Sequence, residues 1–298
     1  IVIVEDGSTE TAESVVKEFS ESLEISYYFK PNSGPGDSRN FGMQKAKGNY
    51  YIILDSDCLL PSHYLETVDY FLQNNYYDCY GGADAAHQNF TKLQKAINYV
   101  MTSFFTTGGI RGNSKSTTTF EPRSFNMGIS EAAFKATNGF SKIHPGEDPD
   151  LSQRILKAGF KTTFIPNAFV YHKRRATWKK FYTQVKKFGL VRPILNKWHP
   201  KAAKFTFWFP TFFVLFTIAS ILCSFLISLL YIFPLGGYVF LIFIDSSIKN
   251  KNLLIGVMSV WAMFVQFFGY GLAFLKSNFF IHGLNKEPEK QFPKLFFK

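Results

Sequence analysis

Tyr50-Tyr51-Ile52-Ile53-Leu54-Asp55-Ser56-Asp57 holds the pattern on which the fold turns. Five aromatic and aliphatic residues in a row read as a buried strand. Two carboxylates one residue apart follow it at once. Just past the end of a strand the backbone turns, and both side chains can then reach one hard cation or its bound waters. Taken alone, an Asp-x-Asp is a common loop feature that more often means two solvated acids or a helix cap. Its meaning depends on what surrounds it.

Upstream, Ile1-Val2-Ile3-Val4 is already a strand, and Glu5-Asp6-Gly7-Ser8 turns out of it. Ser8 or Thr9 is placed to cap a helix running toward Ser20. Residues 24–29 alternate into a second strand, Pro31-Asn32-Ser33-Gly34-Pro35-Gly36 makes a loop, and Asp37 can cap a helix that ends at Gly48. Strand, helix, strand, helix, strand at these intervals predicts right-handed crossovers and a parallel sheet, with its ligand crevice beyond the carboxyl ends of the strands. Glu5-Asp6 and Asp55-Ser56-Asp57 would then face one crevice. A chain that opens mid-pattern on a strand, without Met, reads as a fragment or processed product.

Downstream, Pro61 begins a helix, residues 79–83 and 124–129 read as strands, residues 131–136 as a short helix, and residues 149–158 as a helix stopped by Gly159. Glu147-Asp148 follows His144-Pro145-Gly146 and precedes that last helix. A carboxylate there can project into a cleft and take a proton from a hydroxyl; capping the helix is the plainer role. His172 closes Phe169-Val170-Tyr171, where an imidazole can complete a metal shell, although a lone His is more often structural.

Beyond residue 172 the composition changes. Residues 173–204 contain eleven Lys and Arg and no Asp or Glu, a block equal to the whole formal net charge of +11. It abuts an apolar stretch, so its expected partner is the anionic cytoplasmic face of a membrane and not nucleic acid. Within it Trp178, Phe181, Tyr182, Val185 and Phe188 recur at helical spacing, with Lys179, Lys180, Lys186 and Lys187 on other faces, as in an interfacial helix. No charge occurs in residues 205–244 or 252–275, each long enough to cross ~30 Å of hydrocarbon. The apolar region is broken at Pro234-Leu235-Gly236-Gly237 and at residues 245–251. Because lysines flank both ends, an even number of spans is favoured, two with a re-entrant or interfacial piece between them. Cys58, Cys79 and Cys223 have no metal-ligand spacing and predict no disulfide framework. Asn89-Phe90-Thr91 fits a glycosylation sequon but is discounted as a chance match.

Together these motifs resemble the family 2 glycosyltransferases. Ile1 to Thr9 is similar to that family's strand followed by Asp-Asp-Gly-Ser-Thr, with Glu5 in place of the first Asp. Gly36-Asp37-Ser38-Arg39-Asn40-Phe41-Gly42 resembles its Gly-x-Ala-Arg-Asn-x-Gly, residues 50–57 its metal segment, and Gly146-Glu147-Asp148-Pro149-Asp150-Leu151 its acidic base segment. The four occur in the family's order. The resemblance implies an α/β fold of the GT-A type, a Rossmann-like mixed sheet of nucleotide-diphospho-sugar transferases, followed here by C-terminal transmembrane helices. It implies that Asp6, Arg39, Asp55 and Asn126 contact the nucleotide sugar, that Asp57, Asp55 and His172 surround a divalent cation, Mg or Mn, and that Asp148, with Glu147, is catalytic. The family's first strand, with a further contact to the base, is expected before Ile1. Gln184-Val185-Lys186-Lys187-Phe188 only partly resembles the Gln-x-x-Arg-Trp of processive members, so addition of a single sugar is expected.

The resulting organisation is a catalytic domain at residues 1–172, a basic interfacial helix region at 173–204, a transmembrane region of two or three spans at 205–284, and a basic tail at 285–298. The expected activity is metal-dependent inverting transfer from a UDP- or GDP-sugar to a lipid-linked or polysaccharide acceptor. The expected location is the inner (cytoplasmic) membrane, multi-pass, with membrane lipids as partners and the catalytic domain in the cytoplasm. Two alternatives stay open: a polyprenyl-phosphate sugar transferase, whose acceptor needs no strong base, and a non-catalytic nucleotide-binding membrane subunit.

Overall fold

A computed structural model of the chain describes residues 1–85, 90–108, 120–172 and 175–297. The sequon residue Asn89 lies outside them. The chain divides into two compact units: Ile1–Ala83, Ser116–Val170 and Phe292–Lys298 form one, Asp84–Lys115 and Tyr171–Gln291 the other.

The first unit is α/β. Strands β1 (Val2–Asp6) and β2 (Ser26–Lys30) pair in parallel around helix α1 (Glu13–Phe19), with Asp6 opposite Lys30. Neither Ser8 nor Thr9 caps α1. The Glu5 carboxylate accepts the Ala12 N–H at 2.9 Å instead, because it leaves the strand already aimed at the first turn. Helix α2 (Pro35–Lys45) starts on Pro35, whose missing N–H is not needed there, so Asp37 lies inside the first turn rather than at the cap.

The parallel order read from the first three strands stops at β2, and the mixed sheet implied by the family resemblance begins. β3 (Tyr50–Leu54) runs in a separate five-stranded sheet, order β3-β6-β5-β7-β4, in which β4 is Cys58–Leu59, β5 Cys79–Ala85, β6 Asn126–Ser130 and β7 Thr162–His172. β3 and β5 both pair antiparallel with β6. Spacing along the chain predicted the crossovers but could not reveal that the late strand β6 inserts beside β3.

The period-2 alternation of β3 sends Tyr51 and Ile53 to one face and Tyr50 and Leu54 to the other. On the first face they pack with Met127, Ile129, Phe134, Leu151 and Ile155, which brings in helices α6 (Glu131–Thr137) and α7 (Glu147–Lys157). On the second they meet Tyr64, Val68, Tyr80 and Ile165 beneath helix α3 (Tyr64–Asn74), whose start falls after β4 and not at Pro61. The sheet is therefore covered on both faces, and its strand ends are held by two cores.

The second unit is helical. Helices α4 (Lys92–Thr102), α8 (Trp178–Trp198), α9 (Phe209–Leu226), α10 (Phe233–Asn250) and α11 (Leu253–Asn278) share a core containing Ile97, Phe181, Val185, Phe213, Ile242, Met263 and Phe267. α11 is its hub. Part of the stripe expected to lie in an interface has a protein partner: Phe181 and Val185 are buried while Tyr182 is exposed, and Gly189 sits so close to α11 that a Cβ there would meet the Tyr270 carbonyl oxygen at 2.3 Å. The Ser277 hydroxyl adds a 2.6 Å bond to the Leu190 carbonyl across the same seam.

Three segments, Phe205–Leu226, Leu229–Asn250 and Leu253–Gly283, are long and apolar enough to cross a membrane, with mean hydropathy 2.1, 1.8 and 1.7. The middle one, expected to be re-entrant, reaches 22 residues because a short turn at Leu229–Ile232 leads straight through Pro234 into α10. Proline at the start of a helix costs nothing, so Pro234 opens the segment rather than breaking it.

Candidate active site

Asp6, Arg39, Asp55, Glu147 and Asp148 all belong to the α/β unit, where Arg39 bridges Asp55 and Glu147 and Asp6 sits in a separate network with Lys30, Ser33 and Gly34. Asp6 ends β1 with its carboxylate fully engaged: Oδ1 accepts the Ser33 N–H at 2.9 Å and Lys30 Nζ at 2.9 Å, and Oδ2 accepts the Gly34 N–H at 3.0 Å. Burial would raise this carboxyl, but the bonds from Ser33, Lys30, Ser38 and Gly34 outweigh it and hold the group below the usual Asp range. Asp37 accepts from Ser33 and Lys30, so one lysine spans both acids.

Arg39, two residues further along α2, reaches the other half. Its guanidinium donates to Asp55 Oδ1 at 2.7 Å and to Glu147 Oε1 at 3.3 Å, and lies 5.5 Å from the Phe140 ring centroid. Asp55 is half-buried at the end of β3, while Asp57 is exposed on the turn, which closes with a bond from the Cys58 N–H to the Asp55 carbonyl.

At the start of α7 two neighbouring carboxylates have different surroundings. Glu147 Oε1 also meets His144 Nδ1 at 3.0 Å, whereas Glu147 Oε2 and Asp148 Oδ1 are buried without a protein partner, as is Ser141 Oγ in the loop before them. Burial pushes Glu147 up, but His144 and Arg39 more than offset it, leaving its carboxyl below the usual range. Burial and the adjacent Glu147 charge drive Asp148 the other way, only partly opposed by Arg39, Arg123 and Ser124. Two acids whose environments separate their proton affinities suit one fixed charge and one proton acceptor.

One predicted residue is placed elsewhere, and the side chain of another lies outside the described residues. Asn126 is fully buried: its Nδ2 donates to the Ala168 carbonyl at 2.8 Å and the Ala83 carbonyl at 3.3 Å, and its Oδ1 accepts the Tyr64 hydroxyl at 2.5 Å. It braces three strands and has no surface to offer a ligand. His172 ends β7, and its side chain lies outside the described residues. Among the described residues no three His, Cys, Asp or Glu gather into a metal cluster. Asp55 and Asp57 are of the oxygen-donor type that suits a hard cation of the Mg or Mn kind, which commonly takes one or two protein carboxylates and completes its shell with substrate phosphates and water.

Sequence reasoning missed Lys30, Ser33, Phe140 and His144. A signal existed for two of them, since parallel pairing of β1 and β2 sets Lys30 against Asp6, and His144 stands three residues before Glu147. A groove of about 420 Å³ lined by Asn49, Tyr50 and Glu131 lies at the opposite end of β3 and includes none of these groups.

A mixed sheet covered by helices on both faces, with acids at the ends of β1 and β3 and at the start of α7, is the GT-A fold. The whole-chain likeness agrees: the mannosyltransferase PcManGT from Pyrobaculum calidifontis, solved with GDP-Man and Mn2+, superposes with a TM-score of 0.61 at 14% identity, over 96% of this chain and 78% of that one. The family model of glycosyl transferase family 2 matches residues 1–136. The glycosyltransferase GlyA of Streptococcus pneumoniae serotype 4 is 41% identical over 69 residues, 23% of this chain and 10% of that protein. An uncharacterized glycosyltransferase of Rickettsia bellii is 36% identical over 75 residues, 25% of this chain and 11% of that protein. The match to these curated relatives thus spans about a tenth of their length.

Proposed function

We propose that the chain transfers a sugar, with inversion, from a nucleoside diphosphate donor to a hydroxyl of a lipid-linked or glycan acceptor. The observation that carries this reading is the buried, unpartnered Asp148 oxygen beside Glu147, whose other oxygen is tied through Arg39 to Asp55. Asp148 is the base. It takes the proton as the acceptor oxygen bonds to the anomeric carbon and the bond from that carbon to the diphosphate breaks. Its raised proton affinity suits that task, and Glu147, kept ionised, holds Arg39 in place.

Asp6 fixes the loop at Ser33 and Gly34 on the donor side, and Arg39 orients Asp55. Asp55 and Asp57 would hold a divalent cation, which when bound neutralises charge on the departing diphosphate. The GDP-Man and Mn2+ in PcManGT are consistent with this donor class. Three long apolar helices and the basic block support a site working at the cytoplasmic face of a membrane on a membrane-bound acceptor.

Screening UDP- and GDP-sugars with Mn or Mg on the membrane-embedded protein, reading release of nucleoside diphosphate, tests the proposal. Turnover of one donor, lost on chelation, is the expected result. Failure of all common donors overturns it.

A further inference from the structure

After the apolar helices the chain rejoins the α/β unit at Phe292–Lys298. Phe292 and Leu295 are buried there, and Phe296 pairs antiparallel with Ile143 in a single bridge. The His144 N–H donates to the Leu295 carbonyl at 2.7 Å, and the Phe297 N–H donates to the Lys142 carbonyl at 3.0 Å. These bonds fasten the loop that carries His144, two residues before the Gly146 that opens α7.

Phe297 extends the contact to the other half of the site. Gly34 has φ +97°, and a Cβ built on it would lie 2.3 Å from the Phe297 ring. The same ring sits 6.0 Å, centroid to centroid, from the His144 imidazole. Gly34 holds Asp6 through its N–H, and His144 holds Glu147 through Nδ1. One side chain therefore touches both the loop that fixes the donor-side acid and the loop that bears the acidic pair.

We propose that Phe297, seated by Phe292–Phe297, is a positioning residue for donor binding, holding the Ser33–Gly34 turn and the Lys142–His144 loop in register. This rests on the transfer reading above. Phe297 takes part in no proton or sugar transfer; it acts through Gly34 and His144. Reciprocity of coupled equilibria follows: if the seated segment favours the nucleotide, the nucleotide must favour the seated segment by the same factor.

Two measurements test this on the full chain in membranes. In the unmodified protein, trypsin cleavage after the exposed Lys294 is timed with and without saturating UDP or GDP plus Mn; at least fivefold slowing is expected. In Phe297→Ala, donor KM rises about tenfold with a smaller change in kcat, and Phe297→Leu, which refills the apolar contact, restores most of the loss. A general structural role would lower the melting temperature without separating KM from kcat.

Cleavage indifferent to nucleotide, or higher turnover in Phe297→Ala, as for a plug, overturns the proposal even where Phe297→Ala folds poorly. If the unmodified protein binds neither nucleotide and turns over no donor, the transfer reading fails and this inference falls with it. Nucleotide binding that ignores Phe297 sinks this inference alone.

Discussion

Asp6 and Asp148 are the same side chain in opposite circumstances. Asp6 accepts two backbone N–H groups and a lysine, and its proton affinity falls. Asp148 keeps a buried oxygen with no protein partner beside a second acid, and its affinity rises. A carboxylate whose lone pairs are all taken can only hold structure; one left unsatisfied at a cost of ~1–3 kcal/mol marks where a ligand or proton is expected. The contrast separates the acid that shapes the site from the acid that reacts in it.

The largest effect should come from Asp148→Asn. The amide keeps the shape and removes the base, so kcat should fall about 10³-fold, within the 10²–10⁴ typical of general bases, while donor KM moves little. Near-normal turnover would instead favour an acceptor that is already a phosphate, as in polyprenyl-phosphate sugar transfer. Single-turnover kinetics on the identified donor decide between them.

Next comes Arg39→Gln, which leaves Glu147 and Asp55 without their cation. A loss of roughly 2–4 kcal/mol of stability is expected for breaking this mostly buried system, with about 10²-fold lower kcat/KM. The pH profile gives a sharper reading. A base must be deprotonated, so activity is lost as pH falls through the Asp148 pKa, which already lies above the ordinary carboxylate value. Arg39 is one of the charges opposing that rise, so its removal should move the acid limb of kcat/KM to still higher pH. An unmoved or lowered limb would mean that another group is the base.

How much of this could be read from the residues alone depends on distance along the chain. Strand β3 and its acids, the α7 acids and the apolar helices are local patterns, and each appears close to where periodicity puts it. What local pattern cannot carry is pairing. Nothing in residues 50–54 says that β6 will lie against them; local spacing read only the parallel start, and the mixed sheet was implied by the family resemblance. Asn126 was misplaced for the same reason, because only the antiparallel register drops it between Tyr64 and Ala168. Pro234 reads as a break in the sequence, yet the turn at Leu229–Ile232 leads through it into α10.

A smaller effect is expected for Asp6→Asn: donor KM up about tenfold with kcat nearly unchanged, and roughly 1–2 kcal/mol of stability lost at neutral pH through weaker charge-assisted bonds. The sign of its pH dependence follows from the lowered carboxyl. Stability from Asp6 is present above its unfolded value of about 3.9 and is lost as pH falls through the folded one. The melting-temperature gap between wild type and Asp6→Asn should therefore be constant near pH 6–7 and close in acid. A gap that widened in acid would remove Asp6 from the role of fixed anion.

The smallest effect on activity belongs to Asn126→Ala. Its amide has no exposed surface and its partners are Tyr64, Ala83 and Ala168, so truncation removes three hydrogen bonds and leaves the Tyr64 hydroxyl only Tyr80, about 2–3 kcal/mol of stability. Donor KM should stay within twofold once the protein is assayed well below its lowered melting temperature. A large KM change with an unchanged melting temperature would return Asn126 to the donor site and require β6 to open when the nucleotide sugar binds. The Asn126 variant thus tests whether a fully satisfied polar group can be reactive, as the Asp148 variant tests whether an unsatisfied one must be.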